Sequence, residues 1–286
     1  MGAGKPPSSR QFHLKMKSSP YTNALEEMSA HIRRQVLTVA VENGAGHIAP
    51  SLSCVDVLVA LYAGAMTYEP NDPLWKDRDR LIFSKSHGCY GLYAILAHLG
   101  VIPMEEWKGF YTPRSTLAGC SDRRPEYGIE AGCGSLGHGL PIAVGLAYGA
   151  KLQGKSYHVF CLVGDGEMQE GTTWEAFQFA VKKNLHRLIV IVDRNRLQAM
   201  DFITAVMDCN PDDLERRLEG FGLDPVSCDG HDPLALRDCF LQLKERQQGP
   251  PGVVIAETVK GYGVRCMENV PKFHFRLPSK EELEDD

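Results

Sequence analysis

The chain has 286 residues, of which 43% are hydrophobic and 23% charged, and its formal net charge is −5. This composition excludes wholesale disorder and is sufficient for one large α/β domain or two ordinary ones. The 31 lysines and arginines form no basic block, so nucleic-acid binding is not expected. The N-terminus lacks the apolar core of a signal peptide, and no later segment offers about 18 uninterrupted apolar residues, so we expect no membrane association.

The cysteines indicate a reducing compartment. Their number, nine, is odd, and no C-x-x-C pair occurs among them. Neither a disulfide framework nor a thiolate zinc site is therefore predicted. We expect a cytoplasmic protein.

The first half of the chain carries two polar turns directly after predicted elements. Residues 1–20 are polar and rich in Pro and Ser, which predicts a flexible tail. Apolar residues recur at helical spacing over residues 23–41, and this helix ends at a glycine turn that carries His47. A short strand is predicted at residues 80–84, followed by the turn that holds His87.

The second half alternates strands and helices. Residues 113–139 are rich in glycine and predict a long functional loop. The strands that follow are almost continuously apolar, which predicts an α/β fold with a mostly parallel central sheet and helices on both faces. We expect one domain over residues 21–270 and a polar C-terminal tail over residues 271–286. The predicted strands are residues 157–163, 187–192 and 253–256, and the predicted helices are near residues 142–152, 172–181, 211–218 and 233–243.

Two of these strands end in residues that suit a cation and an anionic ligand. Gly164-Asp165-Gly166 follows one strand, and Asn195 follows another. In open α/β sheets ligands bind at the carboxyl ends of strands. Carboxylate and amide oxygens suit Mg²⁺, whose coordination is commonly completed by substrate phosphates and water. A diphosphate-bearing ligand is therefore implied.

Seven ordered sequence blocks, from about residue 25 to the end of the chain, resemble the N-terminal half of transketolase. The pair formed by the GDG turn and the downstream Asn is itself similar to the signature of thiamine-diphosphate enzymes. The blocks are AGH at 45–47, SKSHG at 84–88, GSLGHG at 134–139, GDGEMQEG at 164–171, VDRNRLQ at 192–198, VSCDGHD at 226–232 and TVKGYGV at 258–264.

The resemblance implies a thiamine-diphosphate-binding fold and a role for each matching residue. It places His47 and His274 near the reacting carbon and the substrate, and Glu170 at a subunit interface beside the cofactor. The cofactor itself would be bound by His87, Gly134, Leu136, Gly164, Gly166 and Asn195. Magnesium would be held by the side chains of Asp165 and Asn195 and by the carbonyl of Leu197.

The resemblance also implies a partner subunit, because the second, pyrimidine-binding domain of transketolase has no counterpart in this sequence. We expect the N-terminal subunit of a split transketolase-like transferase, active only with a C-terminal pyrimidine-binding subunit, in an α2β2 assembly. It would use thiamine diphosphate and Mg²⁺ to transfer a two-carbon ketol unit from a ketose donor.

One departure from the family pattern leaves two other functions open. Cys120 and Ser121 stand where the family usually carries a His-Pro pair whose histidine contacts sugar hydroxyls. The first alternative is a thiamine-dependent subunit that passes a two-carbon unit to a carrier-bound thiol or lipoyl group in a dedicated biosynthetic pathway. The second is a non-catalytic, cofactor-binding regulatory subunit.

Overall fold

The computed structural model describes residues 20–199, 201–207, 210 and 213–284. The tail predicted for residues 1–20 lies outside this range except for Pro20, where the first helix begins. A single parallel sheet of five strands forms the centre of the described chain, in the order β1-β2-β3-β5-β4. The strands are β1 (Arg80–Phe83), β2 (Val159–Gly164), β3 (Leu188–Arg194), β4 (Pro225–Asp229) and β5 (Gly252–Glu257).

Helices cover both faces of the sheet, as the apolar strands predict. One core layer packs the first helices and α10 against side chains such as Phe160 and Ile191. The other packs α6, α7 and α9 against the alternate side chains, such as Cys161 and Val190. The helices are α1 (Pro20–Asn43), α2 (Ile48–Leu52), α3 (Val55–Ala60), α4 (Cys89–His98), α5 (Met104–Lys108), α6 (Gly139–Leu152), α7 (Gly171–Lys182), α8 (Ile203–Val206), α9 (Leu214–Gly220), α10 (Pro233–Lys244) and α11 (Lys280–Glu284).

The predicted α/β class with a mostly parallel sheet is confirmed, and the sequence missed one strand. β4 lies at the edge of the sheet, and its residues are mostly half-buried or exposed. An edge strand of this kind lacks the continuous apolar run that revealed the others. The helix predicted at 211–218 begins at Leu214 in the structure, and residues 211 and 212 lie outside the described chain.

Residues Ile48–Ala65 form the longest apolar helical stretch of the described chain. By length and composition this stretch is able to cross a membrane, but 83% of it is buried inside the protein. It comprises α2, α3 and one turn of π-helix at Leu61–Ala65, and it contributes to the core on one face of the sheet. Burial within the protein accounts for its apolar composition.

The segment predicted as a C-terminal tail begins with packed residues. A 3-10 turn at Pro271–His274 places the Phe273 ring in the core. This packing fixes the position of His274 beside His47 and Lys260. The proposed domain boundaries themselves remain a prediction.

Candidate active site

The carboxyl ends of four neighbouring strands bring the predicted site residues to one edge of the sheet. The register pairs Phe83 with Leu162 and Gly164 with Asp193, so the turns after β1, β2 and β3 leave the sheet side by side. Arg194 in turn pairs with Glu257, which brings the turn after β5 to the same edge. Parallel topology thus joins sequence blocks that are more than 170 residues apart.

Asp165 is a buried carboxylate at this edge. Its oxygens accept hydrogen bonds from the backbone N–H of Gly166, at 2.8 Å, and from that of Arg196. Burial, together with the nearby carboxylate of Asp193, raises the pKa of Asp165 to about 7. A bound cation would offset both effects, because it replaces lost hydration and neutralises part of the negative charge.

Asn195 and Leu197 follow β3 in a tight turn beside Asp165. The Asn195 side chain accepts a hydrogen bond from the Leu197 N–H at 3.1 Å, and both residues are buried. Arg196, between them, has a left-handed backbone with φ of 63°, a strained conformation that is commonly kept at functional sites. The turn therefore presents two further oxygen donors, an amide oxygen and a backbone carbonyl, next to the carboxylate. Among the described residues no cluster of three or more His, Cys, Asp or Glu side chains suits a metal.

A buried ion pair lies beneath the site. Lys85 and Asp193 are both buried and form a direct hydrogen-bonded pair. Lys85 also donates to the carbonyl of Pro50 at 2.9 Å, and Asp193 accepts from the hydroxyls of Ser53 and Thr258. These contacts connect the turns after β1, β3 and β5 with α2.

Three histidines converge above the strand ends. The ring centroid of His47 lies 5.6 Å from that of His87 and 5.1 Å from that of His274, and the last two are 5.4 Å apart. Burial lowers the pKa of all three, and nearby lysines lower it further; the pKa of His274 falls to about 3. The three rings are therefore neutral at pH 7, and each can both donate and accept a proton.

Lys260 fixes the proton position on one of these rings. Its ammonium donates to His274 Nδ1 at 2.8 Å and to the carbonyl of Gln198 at 3.0 Å. Since Nδ1 of His274 accepts this bond, the ring proton stands on Nε2. Burial and the charge of Lys85 lower the pKa of Lys260 to about 8, so it remains largely protonated at pH 7.

The glycine-rich turn before α6 is held by Glu167, a buried carboxylate. Glu167 accepts hydrogen bonds from the N–H groups of Gly137, at 2.9 Å, and Gly164, at 3.2 Å, and from the Ser84 hydroxyl. It thereby joins the turns after β1 and β2 to the GSLG loop. Burial raises its pKa in spite of these donors.

Space and unpaired polar atoms remain where a cofactor would lie. A Cβ on Gly134 would meet nothing within 4 Å, and the neighbouring Leu136 is 37% exposed. The Nδ1 atom of His47 is buried and has no hydrogen-bond partner, which is costly unless a ligand supplies one. An apolar side chain, an open glycine and an unpaired imidazole nitrogen fit a ligand that has both apolar and polar parts.

Residues 26–283 match the family model described as "Transketolase, thiamine diphosphate binding domain". This chain belongs to the transketolase family. The recognition made from the seven sequence blocks is confirmed, and the chain is a thiamine-diphosphate-binding subunit of transketolase type.

Two relatives are separate subunits of almost the same length as this transketolase-family chain. The chain is 37% identical to an apulose-4-phosphate transketolase subunit of Actinobacillus succinogenes, over 93% of this chain and 96% of that protein. It is 36% identical to the 6-deoxy-6-sulfo-D-fructose transketolase subunit SqwG of a Clostridium species, over 85% of this chain and 88% of that protein. These relatives support the prediction of an N-terminal subunit of a split, transketolase-like transferase.

Solved transketolases share the fold over a larger polypeptide. The chain superposes on the transketolase of Campylobacter jejuni with a TM-score of 0.82 and 28% identity, and on that of Leishmania mexicana with a TM-score of 0.81 and 26% identity. In each case 91% of this chain is covered. It spans about two fifths of the length of those transketolases, 41% and 40% respectively.

The structure brings most of the predicted site residues of this transketolase-family chain together, and Glu170 and Gly166 differ in detail. Glu170 is exposed at the start of α7, and its side chain stands against Gly137, where an added Cβ would lie 2.6 Å from Glu170 Cβ. Gly166 opens a short 3-10 turn, and its N–H donates to Asp165. The interface role of Glu170 and the diphosphate contact of Gly166 remain predictions.

The loop with the unusual Cys120 lies directly against the turn that carries His87. The Ser121 N–H donates to the carbonyl of Ser86 at 3.2 Å, and the Cys89 thiol contacts the carbonyl of Gly119 at 3.2 Å. Cys120 is exposed. The loop therefore lies beside the histidine cluster, at the edge of the space above the strand ends that we call the cleft.

Sequence reasoning missed four buried charged residues of the transketolase site: Lys85, Glu167, Asp193 and Lys260. All four lie within recognised blocks; Asp193 is near the end of β3, and the other three follow a buried strand by two or three residues. A charged side chain just beyond an apolar strand end is the signal that was available. Charged residues are rarely fully buried without a partner or a ligand.

Proposed function

We propose that this chain forms an α2β2 enzyme with a C-terminal, pyrimidine-binding transketolase-like partner and transfers a two-carbon ketol unit from a ketose donor to an acceptor. The observation that carries the proposal is the convergence of three neutral imidazoles, two buried lysines and a buried carboxylate at one sheet edge. The odd cysteine number without a C-x-x-C pair supports a cytoplasmic location.

Mg²⁺ is the second part of the proposal. Asp165 and Asn195 would supply side-chain oxygens and Leu197 its carbonyl, and diphosphate oxygens and water would complete an octahedral shell. The raised pKa of Asp165 supports this assignment, because the buried carboxylate is destabilised until positive charge arrives. Gly164 and Gly166, both half-buried, flank Asp165 in the turn where a diphosphate would lie.

The chain's own residues would then position the cofactor and substrate and move protons. Bound thiamine diphosphate supplies a carbon nucleophile that carries the two-carbon fragment. His47 has an unpaired, buried nitrogen with which to accept or donate a proton beside the reacting centre. His274, with its proton held on Nε2 by Lys260, is a fixed donor toward a substrate oxygen, and His87 completes the wall of the cleft.

Exposed apolar side chains beside the cleft support a partner that covers it. Phe275, which contacts the His47 ring, is 51% exposed, and Met207, at the end of α8, is 70% exposed. Leu136 in the GSLG loop and Phe202, which bridges to Leu197, are exposed as well. Large apolar residues rimming one polar cleft are typical of a surface that another protein covers.

An anionic ketose is the proposed donor class. The two relatives that are separate subunits are named for apulose-4-phosphate and for 6-deoxy-6-sulfo-D-fructose, and both of these sugars carry an anionic group. In this chain the loop beside His87 carries exposed Arg114 and Arg123, which can attract such a group.

The metal proposal is tested by thiamine diphosphate titration of the assembled enzyme, followed by protein fluorescence, with Mg²⁺ or with a chelator. We expect the chelator to weaken binding in the native protein and to have no further effect on Asp165→Asn. Asp77→Asn is the matched control, because Asp77 is an exposed carboxylate paired with Lys155 before β1, at the opposite edge of the sheet. Mg²⁺-dependent binding that survives in Asp165→Asn would refute the assignment.

Measurement of turnover tests the proposed ketol transfer and the proposed donor class. The chain is co-expressed with a pyrimidine-binding partner, and the assembly is supplied with phosphorylated ketoses, unphosphorylated ketoses or a thiol or lipoyl carrier as acceptor. Ketol transfer between sugars, faster with the anionic donor, supports the proposal. Transfer only to the carrier favours the dedicated-pathway alternative, and cofactor binding without turnover favours a regulatory subunit.

A further inference from the structure

We propose that His231 is a positioning residue for Lys260: its ring accepts the backbone N–H of Val259 and so holds the Lys260 ammonium on His274 Nδ1. This inference rests on the proposed function only in assigning Lys260 and His274 to the cofactor cleft. His231 itself lies outside the cleft, on the turn between β4 and α10.

The DGHD segment, residues 229–232, forms hydrogen bonds with the backbone at the end of β5 and just after it. The Gly230 N–H donates to the carbonyl of Glu257 at 2.8 Å, and the Val259 N–H donates to His231 Nε2 at 2.8 Å. A Cβ on Gly230 would lie 2.3 Å from the Thr258 side chain. Only glycine permits this close approach, so Gly230 allows the turn to pack directly against the residues just before Lys260.

The remaining polar groups of the segment hold the turn in place. The Asp229 carboxylate accepts the His231 N–H at 2.8 Å. Asp232 caps α10 by accepting from the N–H groups of Leu234 and Ala235. With its shape fixed from both sides, the turn can place the His231 ring accurately.

The His231 ring has a defined proton position. Because Nε2 accepts from Val259, the ring proton stands on Nδ1, which donates to Asp56 Oδ2 at 2.8 Å. Asp56 is buried and also pairs with Arg33. The ring is stacked on Tyr262, with 3.5 Å between the ring centroids. A carboxylate on one nitrogen and a backbone donor on the other is an arrangement that fixes an imidazole in both tautomer and orientation.

The hydrogen bond to Val259 affects the cleft through the next residue, Lys260. Lys260 is buried, and its carbonyl accepts the Asn269 N–H at 2.9 Å, while the next residue, Gly261, donates to the carbonyl of Ala49 at 3.0 Å. The hydrogen bond from Val259 to His231 completes this set on the N-terminal side of Lys260. Without that acceptor, a half-buried N–H loses its partner just before the lysine that sets the proton position of His274.

Two amide substitutions separate the two ring nitrogens. The Asn side chain reaches about as far as Nδ1, so His231→Asn keeps a donor for Asp56 and loses the acceptor for Val259. The Gln side chain reaches about as far as Nε2, so His231→Gln keeps the acceptor and loses the donor. If the acceptor for Val259 positions Lys260, His231→Gln should keep the His274 tautomer and the cofactor affinity better than His231→Asn. If His231 acts only through its hydrogen bond to Asp56, the order should be reversed.

The first measurement uses the cofactor-free, ¹⁵N-labelled full chain. Long-range nitrogen–proton spectra at pH 7 report which nitrogen of His274 carries the proton. We expect the Nε2–H form in the native chain and in His231→Gln, and a mixture of tautomers in His231→Asn. This readout needs no cofactor, partner or turnover, so it can succeed even where the proposed ketol transfer fails.

The second measurement is thiamine diphosphate affinity of the assembled enzyme. We expect His231→Asn to bind about 10-fold more weakly than His231→Gln, as loss of one buried hydrogen bond implies. Tyr262→Leu is the control, because it removes the ring stacking but leaves the Val259 hydrogen bond; its affinity should stay near that of the native protein. Equal behaviour of Asn and Gln, the reverse order, or an equal loss in Tyr262→Leu would overturn the proposal.

Discussion

The ion pair between Lys85 and Asp193 gives the sharpest test of how the site is supported. The perturbation is Lys85→Met, which keeps the length and volume of the side chain and removes its charge. In the native protein the pair is buried, and Asp193 also accepts from the hydroxyls of Ser53 and Thr258. The substitution therefore leaves a buried carboxylate with hydrogen bonds but without a counter-charge.

The expected magnitude follows from that burial. Breaking a buried pair from one side costs about 3–5 kcal/mol, because the remaining charge loses its compensation. Adding Asp193→Asn removes this charge and keeps an oxygen acceptor for one of the two hydroxyls, because Ser53 and Thr258 donate to different carboxylate oxygens. The double variant should therefore be more stable than Lys85→Met alone by about 2 kcal/mol or more.

Urea unfolding of the cofactor-free full chain at pH 7, followed by fluorescence, measures both variants against the native protein. Cofactor is omitted so that changes in its affinity do not enter the free energy of unfolding. A cost below about 1 kcal/mol for Lys85→Met, or a double variant as unstable as the sum of the two singles, would refute the reasoning.

Three further predictions concern regions away from the cleft or at its edge. Burial alone would raise the pKa of Asp79, but hydrogen bonds from Lys244 and from two backbone N–H groups, together with the nearby His158 ring, outweigh it and lower the pKa to about 2. Asp79→Asn should therefore cost about 2 kcal/mol at pH 7, and the difference should shrink as pH falls from about 4 through 2; a difference that is the same in urea melts at pH 7 and pH 3 would contradict this. A Cβ on Gly139 would lie 2.2 Å from the Ser84 hydroxyl, whereas one on Gly145 in the same helix would meet nothing within 4 Å. Gly139→Ala should lower the free energy of unfolding by about 1–3 kcal/mol and Gly145→Ala raise it by about 0.5–1 kcal/mol; urea melts in which both variants shift alike would reject the steric argument. Asp232→Ala should cost about 1 kcal/mol by removing the cap of α10, and unchanged thermal stability would contradict the capping role.

The elements that the sequence predicts correctly are those whose residues are all in the same environment, such as strands buried along their whole length. Strands such as β2 and β3 are buried on both faces, so their composition alone reveals them. β4 escaped because an edge strand mixes buried and exposed positions, and its residues show no single period. α6 begins three residues before the predicted start, at Gly139, where the lack of a side chain lets the first turn pack against Ser84.

The site divides in a similar way. Residues at turns after strands, such as Asp165 and Asn195, are predictable because parallel topology brings strand ends to one edge. Glu167 and Lys260 were not predicted, because their importance lies in contacts between turns that are distant in sequence. Linear spacing carries no record of which buried charge will meet which backbone donor.

The charged and polar residues of the cleft form two layers that differ in how fully they are paired. The residues closest to the proposed ligand are incompletely compensated: burial and the charge of Asp193 raise the pKa of Asp165 although two backbone N–H groups donate to it, and His47 has an unpaired nitrogen. The residues beneath them, such as Lys85 with Asp193, are fully paired. A paired lower layer holds the incompletely compensated upper layer in position, so that a cation and a polar ligand gain interactions on binding without the cost of ordering the turns first. The lower layer must then remain rigid when no ligand is bound, and slow amide exchange at the turns after β1, β3 and β5 in the cofactor-free chain is therefore expected.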